Sequence, residues 1–236
     1  MPLQNEPSPA AAKADPAATQ ISMRSEFQRK MIHLSSFGIP ILYSLLPKST
    51  MLWLLVPATV LGLVIEYLRV RSEPVDRVIQ KLFGGMLRSH ERRGGKARVS
   101  GATWVLLSAT ICILLFPKVV MITGFVVLIV SDTVAALIGR RFGRHRFLEK
   151  SVEGSSAFAV SAILMVIIVA LLFHAPWQFI AAGAVASVVA AVVEAMSYGV
   201  NIDDNLTIPT SFSVVMWGLL FLFFKTPAID ALLHLP

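Results

Sequence analysis

Residues 119–138 read VVMITGFVVLIVSDTVAALI, and the one charged residue in that run is Asp132. A helix needs roughly 20 apolar residues to cross about 30 Å of hydrocarbon, so this stretch is a membrane span. A carboxylate at such depth costs about 2.5–3.5 kcal/mol on insertion scales and is retained where something depends on it. Directly after it come Gly139, Arg140, Arg141, Phe142, Gly143 and Arg144, then Lys150, Ser151, Glu153, Gly154 and Ser155. A buried acid running into a segment rich in Gly, Arg and Lys suggests a metal-bound phosphate at a membrane surface.

The rest of the chain agrees with a membrane setting. Of 236 residues, 56% are hydrophobic and 15% charged; a soluble domain carries about 45–50% and 25%. Further apolar runs fall at 31–47, 51–68, 101–116, 155–173, 176–197 and 208–224. The expected architecture is all-α and polytopic, with about seven transmembrane helices, the first and third short for a full span. Residues 225–236 extend the last span or form a short interfacial helix. No internal repeat is evident. Residues 1–22, rich in Ala and Pro, lack a signal-peptide core and read as a disordered tail, leaving 23–236 as a single membrane domain.

Charge fixes the expected orientation. With the N-terminus in the cytoplasm, every basic residue among the 21 except Lys48, Lys118 and Lys225 falls on the inner side, as the positive-inside rule requires. The net charge of +7 is therefore assigned to loops, headgroups and nucleotide phosphate, and nucleic acid is not expected as a partner. In the basic loop 69–100, residues 74–90 place Val75, Val78, Ile79, Leu82, Phe83, Met86 and Leu87 at helical spacing among Arg77, Lys81 and Arg88. That pattern suits an amphipathic helix on the inner leaflet, admitting a lipid or simply solvated. Cys112, the single cysteine, lies in an apolar run and reads as core.

Four polar clusters map to the inner side: Arg29, Lys30 and His33; Glu66; Asp132 to Ser155; and Glu194 with Asn201, Asp203, Asp204 and Asn205. Their convergence on one face is what an active site requires. Asp132 suits a Mg²⁺ ligand, because hard cations take oxygen donors and bridge phosphates; an ion pair or an ion pathway are the other readings. Arg140, Arg141 and Lys150 supply positive charge, Ser151 and Ser155 hydroxyls, and Gly143 and Gly154 close backbone approach. Gly154 and Ser155 open a helix whose amides favour an anion. Of the adjacent Asp203 and Asp204, one at most points into a given site, where it would complete a second metal position; capping is the plainer reading. Glu194 orients a ligand, acts as a base or pairs structurally. His33 contacts a phosphate or headgroup, or is structural. Thr103, with Gly101 and Ala102, permits tight helix contact or touches nucleotide. No Walker loop, G-x-G-x-x-G or H-E-x-x-H is present, so the familiar kinase folds are not expected.

These motifs carry a family resemblance. SDTVAALIGRRFG with KSVEGSSAF, EAMSYGVNIDDNLTIP, RKMIHL and GATW together resemble the CTP-dependent lipid kinases: dolichol kinase, phytol kinase and the fungal-type diacylglycerol kinase. The middle motif is also similar to phosphatidate cytidylyltransferase, which uses CTP too. The chain is shorter than the cytidylyltransferases and carries NIDDNLTIP, so the kinase is favoured and CDP-diacylglycerol synthesis is the runner-up. A transporter would place its site nearer the midplane. The resemblance implies transfer of the γ-phosphate of CTP to a lipid hydroxyl at the cytoplasmic face, in a bacterial inner membrane. It implies Mg²⁺ on Asp132 with Asp203 or Asp204, and phosphates on Lys150, Arg140 and Arg141. Glu153, Gly154 and Ser155 would shape the cradle, and Glu194 or an aspartate would take the proton. Diacylglycerol, phytol and polyprenol are equally open as acceptors, as is a homo-oligomer.

Overall fold

The computed structural model describes residues 33–83, 99–200 and 203–235, with side chains for all of these except 82–83 and 197–200. Arg29, Lys30, Asn201, the expected tail 1–22 and residues 84–90 of the expected amphipathic helix lie outside the described residues. What is described is helical apart from one small hairpin: α1 (Gly38–Leu45), α2 (Lys48–Arg71), α3 (Glu73–Phe83), α4 (Gly101–Leu115), α5 (Lys118–Phe142), β1 (Arg146–Phe147), β2 (Lys150–Ser151), α6 (Val152–Leu172), α7 (Trp177–Val200), α8 (Asp204–Leu222) and α9 (Pro227–Leu233).

Among the described residues, five helices are long and apolar enough to cross a membrane: α2, α5, α6, α8 and, over Trp177–Met196, α7. The other two of the seven expected spans are shorter. α4 is apolar and has 15 residues, and α1 has eight. At 1.5 Å per residue these reach about 22 and 12 Å, below the thickness of the hydrocarbon. Hydropathy marks where a chain is apolar; it does not mark where a helix begins.

α5 is the centre. Its residues from Val119 to Phe125 are all buried, along with Val127, Leu128, Ile129 and Ser131. It packs mainly against α6, and also against α8 and α1. Helices pairing in lipid expel no water, so close packing of small residues provides the cohesion. α7 shows this along Ala182, Gly183, Ala186, Ala190 and Ala195. A Cβ on Gly183 would come within 2.4 Å of Val166 Cγ1.

The sequence shows no clear internal repeat, and two of its hairpins nevertheless share a plan. In α1–α2 and again in α4–α5, a short helix ends in extended backbone (Leu46, Phe116). A proline then caps the next helix (Pro47, Pro117), and a lysine opens it (Lys48, Lys118). Aligned on those turns without a gap, the two hairpins share Ile41/Ile111, Leu45/Leu115, Pro47/Pro117, Lys48/Lys118, Met51/Met121, Val56/Val126, Val60/Val130, Val64/Val134 and Arg71/Arg141. Such sparse identity among apolar residues is inconspicuous until packing supplies the register. The short helices are exchanged: α1 lies mainly on α5, and α4 lies on α2 and, almost as much, on α8. At the proline end, Lys48 Nζ donates to Leu114 O at 3.1 Å. The Lys118 ammonium stands 5.5 Å over the Tyr43 ring. At the opposite end, His33 meets Asp132. There Thr103 fills the space over Gly62, where a Cβ would meet Thr103 Oγ1 at 3.2 Å. His33 aligns with Thr103 and Gly62 with Asp132, so the two contacts are counterparts.

Candidate functional site

The site gathers at the end of the bundle where α2, α5 and α7 finish and α4, α6 and α8 begin. Its centre is Lys150. β1 and β2 pair antiparallel, Arg146 opposite Ser151 and Phe147 opposite Lys150, around a turn in which Leu148 adopts φ 52°. That left-handed backbone is costly for a non-glycine residue. The hairpin is docked by Glu149 N donating to Ala195 O at 3.3 Å, beside Glu194. Lys150 Nζ makes a direct ion pair with Glu194 Oε1 and lies 3.6 Å from Asp204 Oδ2. Burial pushes the Lys150 ammonium towards neutrality, but the charges of Asp204, Glu194 and Asp132 outweigh it and raise its pKa above the usual lysine value. Lys150 is a fixed cation at neutral pH.

Asp132 sits on the adjoining face of α5, with Oδ2 3.8 Å from His33 Nε2. Three carboxylates from three helices, α5, α7 and α8, thus surround one ammonium, and His33 meets the first of them. Asp203 and Asp204 divide the work. Asp203 is the N-cap of α8, its Oδ1 accepting from Asn205 N at 3.0 Å and Asn205 Nδ2 at 2.6 Å, while Asp204 faces Lys150. Asn205 Nδ2 also reaches Gly101 O at 3.5 Å.

The loop after α5 is held by Glu153. Its Oε2 accepts from Arg144 N at 3.1 Å, and its Oε1 meets His145 Nδ1 at 2.8 Å and accepts from His145 N at 3.3 Å. Helix α6 begins at Val152, earlier than expected, because Ser151 Oγ caps it by accepting from Gly154 N at 3.1 Å. Gly154 lets α6 approach α5 closely: a Cβ there would meet Gly139 Cα at 3.2 Å and Ala135 O at 3.3 Å. At Gly143 the clash would be 2.2 Å from Gly139 O. Arg140 and Arg141 are exposed beside this turn, Arg141 lying 5.5 Å from the Phe142 ring. Thr103 is buried against Gly62 and bonds Ser100 Oγ at 3.1 Å; that packing is the contact the structure gives it.

Sequence reasoning missed the contacts of Glu66. Its Oε2 pairs with Arg69 Nη1 at 2.9 Å, and its Oε1 accepts from Ser100 N at 3.1 Å. The Ser100-x-x-Thr103 spacing before an apolar run was the available signal, since serine in that place caps helices.

Among the described residues, no three His, Cys, Asp or Glu side chains form a metal cage by themselves. The donors suit another arrangement. Mg²⁺ usually takes one or two carboxylates and completes its shell with water and substrate phosphates. Asp132, Asp204 and Glu194 offer such oxygens. Glu194 Oε2 and Ser155 Oγ are buried without a hydrogen-bond partner among the described residues, so polar capacity at this end is unused.

The uncharacterised protein RP860 of Rickettsia prowazekii is 30% identical over 187 residues, which cover 79% of this chain and 91% of the relative. The chain belongs to the same family as that protein. The uncharacterised protein MJ1137 of Methanocaldococcus jannaschii is 29% identical, over 78% of this chain and 88% of its own length. CTP-dependent diacylglycerol kinase 1 of Saccharomyces cerevisiae is similar at 25% identity, over 82% of this chain and 73% of the kinase. No family model and no solved structure matches. The yeast similarity suggests a lipid kinase, and the five apolar helices an integral membrane protein.

Proposed function

We propose that this protein is a CTP-dependent lipid kinase, moving the γ-phosphate of CTP to the hydroxyl of diacylglycerol or an isoprenoid alcohol such as phytol or polyprenol. The observation that carries the reading is Lys150 held among Glu194, Asp204 and Asp132 at the mouth of an apolar bundle. The similarity to the yeast diacylglycerol kinase supports it.

Phosphoryl transfer asks for charge stabilisation and in-line positioning more than covalent chemistry. Lys150, permanently charged, exchanges a carboxylate for a phosphate oxygen when the nucleotide enters. Arg140 and Arg141 draw the triphosphate towards the turn that Glu153 holds. Mg²⁺, bound through Asp132 and Asp204, would neutralise charge on the phosphates. Glu194, with Oε2 unpaired, accepts the hydroxyl proton of the lipid. His33 orients Asp132. On this reading the site faces the cytoplasm of a bacterial inner membrane, since the basic residues gather at its end.

The test is purified protein in nanodiscs with Mg²⁺, γ-labelled CTP and a pool of diacylglycerol, phytol and polyprenol. Label should enter one lipid and be lost in Asp132→Asn. If instead α-label enters phosphatidate with release of pyrophosphate, the protein is a cytidylyltransferase and the kinase reading fails.

A further inference from the structure

Glu66 stands outside the cluster around Lys150, on α2, yet it is buried and doubly engaged. A continuous line of contacts leads from it to the site. Glu66 Oε1 accepts from Ser100 N at 3.1 Å. Ser100 caps α4, and the next residue, Gly101, offers its carbonyl to Asn205 Nδ2 at 3.5 Å. The same amide holds Asp203 Oδ1 at 2.6 Å. Asp204 follows directly, 3.6 Å from Lys150.

At its other end Glu66 is fixed by Arg69, buried like it, whose Nε reaches Asp76 Oδ1 at 3.3 Å. Asp76 in turn accepts from Gln80 Nε2 at 2.5 Å. The carboxylate is therefore held on one side and sets the height of α4 on the other.

The shared plan of the two hairpins sharpens the point. In the second hairpin the position aligned with Gly62 is Asp132, which belongs to the site. In the first hairpin that position has no side chain, and Thr103 fills it. The carboxylate of the first hairpin is one turn further along, at Glu66, and engages the α4 terminus.

We propose that Glu66 is a positioning residue: through Ser100, Gly101 and Asn205 it sets where Asp204 stands against Lys150. This rests on the reading of Lys150 and Asp204 as nucleotide-binding groups. Residues that orient a ligand-bearing carboxylate typically contribute 10–100-fold to affinity or activity.

Four full-length proteins in nanodiscs test it: wild type, Glu66→Gln, Glu66→Ala and the double variant Glu66→Leu/Arg69→Met. The double variant removes both charges, so that no lone buried ion is left. Each is measured for CTP-dependent transfer, for thermal midpoint, and for the rate at which Lys150 reacts with acetic anhydride, read by mass spectrometry. Glu66→Ala and the double variant should lose about tenfold in kcat/KM for CTP, with the lipid KM unchanged and Lys150 acetylated severalfold faster. Glu66→Gln, whose amide oxygen still accepts from Ser100 N, should stay near wild type in both. The proposal is overturned if the double variant folds and neither CTP use nor Lys150 labelling changes. It is equally overturned if Glu66→Gln loses as much as Glu66→Ala at a matched thermal midpoint. Absence of transfer in wild type would remove the kinase reading, and the Lys150 labelling would then decide the linkage alone.

Discussion

Lys150 and Glu194 lie 44 residues apart in sequence and meet in a direct ion pair, with Glu194 only 2% exposed. Removing one partner of a buried pair leaves an uncompensated charge and costs about 3–5 kcal/mol, whereas replacing both with apolar groups is often neutral. Lys150→Met should lower the thermal midpoint, since Glu194, Asp204 and Asp132 lose their shared cation; Glu194→Leu should lower it less, since Asp204 still faces Lys150, and the double variant should recover part of the Lys150→Met loss. None of the three should transfer phosphate. Calorimetry in detergent alongside the γ-label assay separates the two effects.

The neighbouring aspartates should behave differently. Asp203 caps α8, and Asn or Ser caps a helix nearly as well as Asp. Asp203→Asn should keep most of the activity, and Asp203→Ala should cost about 1 kcal/mol of stability. Asp204→Asn should abolish transfer with the fold intact. Equal losses in Asp203→Asn and Asp204→Asn would contradict this division.

Glu153 holds backbone. Glu153→Ala frees the amides of Arg144 and His145, and the loop after α5 loosens. The KM for CTP should rise about tenfold with kcat changed less. A fall in kcat at constant KM would instead place Glu153 at the reacting atoms.

Gly183 offers a test of the bundle away from the site. A side chain there strikes Val166, and overpacking typically costs about 1–3 kcal/mol. Gly183→Val should lower the thermal midpoint, and Gly183→Val/Val166→Ala should recover part of it.

Much of the site was legible in the chain because charge inside apolar sequence is conspicuous. Asp132, Lys150, Glu194 and Asp204 stand out for that reason, and the structure brings them together. What Asp203 and Asp204 each do was not legible, since only the turn at the start of α8 sends one to the helix amides and the other to Lys150. Ser151 was read for its hydroxyl, which the structure engages in capping α6, and Thr103 was read as permitting tight helix contact or touching nucleotide, and it packs against Gly62. The roles of Glu66 and of the paired hairpins depend on contacts between segments that hydropathy treats alone. The first and third apolar runs were expected to be short for a full span, and the structure gives them the short helices α1 and α4, which end at Leu46–Pro47 and Phe116–Pro117 while the apolar composition runs on.

The exchange of short helices has a consequence for biogenesis. α1 leaves the ribosome long before α5, the surface it is shaped to meet, and α2 must likewise await α4. Until residue 118 has been made, Tyr43 has no Lys118 above it, and until residue 103 has been made Gly62 has no Thr103 against it. The first hairpin therefore enters the bilayer as an unfinished half, completed by a later one. A chain cut between α3 and α4 should accordingly yield two pieces that are unstable apart and recombine when made in the same cell.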